Sequence, residues 1–147
     1  MIFEIFRFLH FVGLAWGVGG ATIASIISAK ADKDREIGSS FIKIVPAISK
    51  LIWIGILLLI ISGVGIGITT PYGEPDKQLF IVKIIIFALL IIIGIIIGLK
   101  IKKMKLIAPK ENEKPLDEFL KTKKQLKILS IISLIIWYAI VGLSVFL

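Results

Sequence analysis

Cysteine is absent from this 147-residue chain, histidine occurs once and methionine twice. No disulfide, thiolate metal site or thiol redox pair can be built from it, and cysteine usage says nothing of the compartment. Copper handling normally draws on Cys, Met and several His, because soft ligands suit Cu(I). Here only His10, Met1 and Met104 are to hand. Acidic residues number 10 against 18 basic ones, and none falls inside the long apolar runs. No Ser/His/Asp constellation is visible, so hydrolytic catalysis is poorly served. The polar/apolar alternation of barrel strands is missing as well.

What the chain has in abundance is apolar sequence: 57% of residues are hydrophobic and the mean hydropathy is +1.00. These values exclude an ordinary soluble domain. The apolar residues fall in four runs, 8–29, 51–70, 79–99 and 128–147. A helix rises ~1.5 Å per residue, so about 20 residues cover the ~30 Å of bilayer hydrocarbon. Backbone polar groups in lipid must be satisfied within the segment, which makes each run a helix. The first run is too long for the apolar core of a signal peptide and no small-residue cleavage site follows Ala29, so it reads as a retained helix. The expectation is all-α: one integral membrane four-helix bundle spanning 1–147.

The net charge of +8 is unevenly spread. The first connector, 30–50, carries Lys30, Lys33, Arg35, Lys43 and Lys50, and the third, 100–127, carries ten basic residues. The second, 71–78, has Lys77 against Glu74 and Asp76. By the positive-inside rule the first and third connectors are cytoplasmic. Both termini and the turn Pro71-Tyr72-Gly73-Glu74-Pro75 then lie outside, in a multi-pass plasma-membrane protein. Lys100, Lys102, Lys103 and Lys105 serve this topology first, and secondarily anionic headgroups at ~1 kcal/mol each. No aromatic residues interleave with them, so nucleic acid is not an expected partner. Pro109 and Pro115 bracket a polar turn, and from Leu116 a basic amphipathic helix leads into the fourth span. Leu116, Phe119, Leu120 and Lys123 are spaced to lie against headgroups. In the first connector Ser39 or Ser40 is placed to cap a helix starting at Phe41, bent by Pro46.

Two side chains able to carry a full positive charge lie within the runs, His10 and Lys83. A hydrocarbon core penalises such groups by several kcal/mol, so retaining them implies a role. With helices one and three both starting outside, the two share a level near the outer leaflet. Arg7 sits one turn above His10, and Glu4 one turn above Arg7. His10, Gly13, Gly17 and Ser28 fall on one broad face of helix one; Lys83, Phe87, Gly94 and Gly98 share a face of helix three. Helix four adds Ser133, Trp137 and Ser144 along one stripe. Glycines four apart let membrane helices approach closely, a spacing found at Gly13/Gly17, Gly63/Gly67 and Gly94/Gly98. Plainer readings stand beside these. Lys83 is near enough to the end of its run to snorkel, and one histidine also suits a neutral imidazole bonded inside the bundle. Trp16, Trp53 and Trp137 read as packing residues or interfacial anchors.

The segment Leu9-His10-Phe11-Val12-Gly13-Leu14-Ala15-Trp16-Gly17-Val18-Gly19-Gly20, a histidine, five residues and Trp-x-Gly-Gly, resembles the first helix of the CopD-like membrane superfamily. That superfamily holds copper-resistance D domains and, more distantly, HemJ-type protoporphyrinogen oxidases. Ile48-Ser49-Lys50-Leu51 through Ile61-Ser62-Gly63 is similar to its second helix, and Leu79-Phe80-Ile81-Val82-Lys83 to the Leu-x-x-x-Lys of its third. The resemblance implies functional weight on His10 and Lys83. The chain departs from the HemJ pattern at the inner ends of helices one and three, where Ser28-Ala29-Lys30 and Gly98-Leu99-Lys100 stand in place of histidines.

Three functions follow as expectations. In the first, haem b or a porphyrin is bound in a redox role, with His10 as the iron ligand and Arg7 and Lys83 neutralising propionates. In the second, the same site takes a small solute, metal or lipid in a copper-resistance-like transport or accessory protein without a cofactor. In the third, the chain is a structural subunit held to partners, or to copies of itself, through its glycine faces.

Overall fold

The computed structural model describes residues 1–70, 77–110 and 112–146. The expected turn at Pro71–Pro75, with Tyr72 and Glu74, lies outside the described residues, as do Asp76 and Glu111. The chain forms four helices: α1 (Ile2–Ala31), α2 (Arg35–Thr69), α3 (Lys77–Leu106) and α4 (Asp117–Phe146). Each is long and apolar enough to cross a membrane. They run up, down, up and down, so the ends of α1 and α2 meet at a lysine-rich end that also holds the α3–α4 connector. This is a multi-pass membrane bundle.

The helices outrun the apolar runs at the lysine-rich end. Asp34, with extended backbone, caps α2: its Oδ1 accepts from the Glu36 amide at 2.9 Å and the Ile37 amide at 3.3 Å. The helix therefore begins six residues before Phe41, and the cap is neither Ser39 nor Ser40. Ser39 instead donates from Oγ to the Glu36 carbonyl at 2.9 Å. Asp34 wins because a carboxylate at the first orphan amides meets both their hydrogen-bonding need and the helix dipole. Pro46 sits within α2 without ending it. In the α3–α4 connector Asn112 takes the left-handed conformation, φ 72°, that asparagine tolerates better than most residues.

Helix α1 packs most extensively on α2; α3 meets α4 and α4 meets α1 less closely, and α2 barely touches α3. The close α1–α2 crossing depends on three glycines. A Cβ on Gly55 would stand 2.9 Å from both the Gly13 carbonyl oxygen and the Gly17 nitrogen, and a Cβ on Gly13 would stand 2.9 Å from the Gly55 oxygen. Any side chain here pushes the backbones apart. The Trp137 ring of α4 closes over Gly17 from another direction, where a Cβ would collide with it. Gly94 faces Trp53, whereas Gly63, Gly67 and Gly98 have open space beside them, so their spacing does no packing within the chain.

Two hydrophobic cores are stacked along the bundle. Ala21, Ile56, Leu59, Leu90, Trp137 and Ile140 form one within the apolar runs. Ala31, Phe41, Val45, Met104, Phe119 and Leu126 form the other at the lysine-rich end. The first is held by dispersion, since lipid tails are as apolar as the core. The second buries surface that water would otherwise touch, worth ~1.5–3 kcal/mol for a large side chain. That gain makes the lysine-bearing turns helical.

Polar contacts tie the same end. Asp32, just past α1, pairs with Lys123 at 3.2 Å and Lys127 at 2.5 Å, both on α4. Lys123 also donates to the Ala31 carbonyl at 3.4 Å, meeting the negative end of the α1 dipole. Lys103 pairs with Glu118 at 2.6 Å, and Lys100 donates to Gln125 at 2.6 Å. The segment from Leu116 does lead straight into the fourth span, but it does not lie flat: Phe119 is buried and Lys123 is engaged by Asp32. The Lys127 hydrogen bond, aided by Lys123 and opposed by partial burial, holds the Asp32 carboxyl below the usual carboxylate range.

Candidate functional site

The other end of the bundle holds the ionisable pair. His10 lies on the same side of α1 as Gly13 and Gly17, whose contact with Gly55 fixes how α2 passes by. This crossing brings Ser62, two turns along α2 from Gly55, to the imidazole: His10 Nδ1 and Ser62 Oγ are 3.0 Å apart. Ser62 is completely buried, and its hydroxyl donates to the Leu59 carbonyl at 3.3 Å. With that proton so directed, the oxygen is open to accept from Nδ1–H, which assigns the imidazole to its Nδ1-protonated tautomer. The remaining nitrogen, Nε2, then carries a lone pair. It has no hydrogen-bond partner among the described residues.

Lys83 of α3 is half-buried, as is His10. Among the described residues no carboxylate pairs with it. Arg7 takes a different direction. It is exposed, 3.8 Å from Glu4, with its guanidinium 5.6 Å from the centre of the Phe3 ring. His10 is thus brought against Ser62, with Lys83 half-buried on α3, while Arg7 stays on the outer surface of α1.

No family model, curated protein or solved structure matches this chain.

The site offers one nitrogen lone pair fixed in direction by a buried hydroxyl, and α3 adds a half-buried cation with no carboxylate partner among the described residues. Such a set can ligate a metal centre that brings its other ligands with it, or bind an anion. It cannot cage a bare metal ion, since no group of three His, Cys, Asp or Glu converges among the described residues. Met104 is buried in the opposite core, far along the bundle. Ser62 is the participant that the sequence does not single out by chemistry. It stands in an apolar run where serine commonly bonds to its own helix, and only the α1–α2 crossing shows its second partner.

Proposed function

We propose that this protein is a plasma-membrane protein whose His10–Ser62–Lys83 cluster binds haem b or a related porphyrin in a redox role. Its lysine-rich end faces the cytoplasm and both termini face outward, a sidedness supported by the excess of basic residues at that end. The observation that carries the reading is the His10–Ser62 hydrogen bond, which leaves Nε2 free to ligate. Histidines that ligate metals generally donate their other ring N–H to a fixed acceptor, which sets the tautomer and the ring plane. Lys83, which has no acid partner among the described residues, suits a propionate. Haem, when bound, supplies one-electron chemistry at its iron. His10 would hold that iron, Ser62 would set the imidazole plane and Lys83 would balance the propionate charge.

The test is a visible spectrum of the purified full chain, oxidised and dithionite-reduced, with and without supplied haem. A Soret band is expected, lost in His10→Ala and bound ~10–100-fold more weakly in Ser62→Ala, the usual loss for an outer-shell partner. A flat spectrum after haem is supplied would sink the reading. The unpaired Lys83 would then favour the runner-up, a carrier or accessory protein for an uncoloured anion, metal or lipid.

A further inference from the structure

Between the two cores the bundle leaves a half-open pocket of about 60 Å³. It touches all four helices: Ala21 and Ala24 of α1, Ser49 of α2, Ile97 of α3, and Ser130 and Ser133 of α4 line it. Small residues on α1 leave the room, and three hydroxyls face it from α2 and α4.

The hydroxyls of the chain fall into two groups. Thr22, Ser62, Thr69, Thr122 and Ser144 each donate to a carbonyl three or four residues back in their own helix. That is the usual way for a hydroxyl to be satisfied in lipid. Ser49, Ser130 and Ser133 make no hydrogen bond among the described residues. Ser25 Oγ, next to Ala24 on α1, is buried with no partner either. These hydroxyls sit just inside the height of Lys50 and Lys127, and left unbonded in a dry pocket they would be a standing cost.

We propose that this pocket is a water site, in which ordered water bridges Ser49 on α2 to Ser130 and Ser133 on the diagonally opposite α4. Its volume admits water, and the three hydroxyls supply the two or more polar partners that bound water requires. The lining carries no carboxylate, so the site is built for neutral water and not for a stripped metal cation. One turn beyond Ser133, Trp137 is completely buried and seated on Gly17. The indole is therefore a dry partition with water on one side and the His10 cluster on the other. The site rests on the pocket and its hydroxyls alone, whether or not His10 binds haem.

The absence of cysteine from the chain makes the test clean. Ser130→Cys and Ser133→Cys are compared with Ile135→Cys, whose position is exposed on the outer face of α4. The probe is methyl methanethiosulfonate, a small neutral reagent that attacks thiolate, and thiolate forms only where water solvates it. Intact mass gives the rates, expected at least tenfold faster at the two chamber positions. Ser130→Ala and Ser133→Ala provide a second reading through thermal unfolding in detergent. In a wet chamber, removing a hydroxyl takes a partner from water, so Tm holds or falls; in a dry one, it removes an unsatisfied group and Tm rises. Chamber thiols no faster than the control, or a rise in Tm for both alanine variants, would overturn the proposal.

Discussion

Ser62 has one hydroxyl proton, and its direction decides what His10 can offer. Pointed at the Leu59 carbonyl, it leaves the oxygen to accept from Nδ1 and frees Nε2. His10 and Lys83 were legible in the sequence because an ionisable group in hydrocarbon is costly on its own account. Ser62 was not, because its tie to His10 spans 52 positions. Gly55 was missed for a related reason: no glycine stands four residues from it, and its partners are the backbones of Gly13 and Gly17. Those contacts make a sharp contrast. Gly55→Ala should destabilise the bundle by ~1–3 kcal/mol, since backbone cannot step aside as a side chain can. Gly63→Ala, with open space beside it, should be neutral or stabilising by up to ~1 kcal/mol through helix propensity. Thermal unfolding of both variants in one detergent checks the pair.

The helices were legible in number and order from their Ile/Leu runs, but not in extent. Hydropathy sees only the part that needs lipid. The turns 35–50, 100–106 and 117–127 carry lysines and become helical because their inner faces build a second core. The Asp32 clamp joins two of these extensions and gives them a pH dependence. Because the folded state holds the carboxyl below its ordinary value of ~3.9, the contribution is complete above that value and is lost as pH falls through the lower folded one. With the Asp32 side chain 33% exposed, water and salt limit the effect to at most about 1 kcal/mol. Asp32→Asn should therefore lower Tm slightly at neutral pH and reduce the acid-side loss of stability. Melts between pH 3 and pH 7 at low and high salt read both effects, and an unchanged acid limb would argue against the clamp.

At the scale of the whole molecule the two cores act as separate stores of stability. Met104, 1% exposed, is at the centre of the lysine-rich one. Met104→Ala should cost ~2–5 kcal/mol while leaving the haem titration of the His10 cluster unchanged, because the sites are far apart and share no partner. Helix α2 shows the proportions: its 35 residues extend ~52 Å, well beyond the ~30 Å of hydrocarbon. Lys30, Lys50, Lys100 and Lys127, one on each helix, mark a common height where the apolar runs stop. From Lys50 to Thr69 the rise is ~28 Å. These four ammoniums work as a collar. The bundle cannot slide further into a thicker bilayer without drawing all four into hydrocarbon, so mismatch must be met at the opposite face or by thinning the lipid around it. The protein is thereby fixed in depth at its lysine-rich end, and bilayer thickness becomes a variable that presses on the His10 end first.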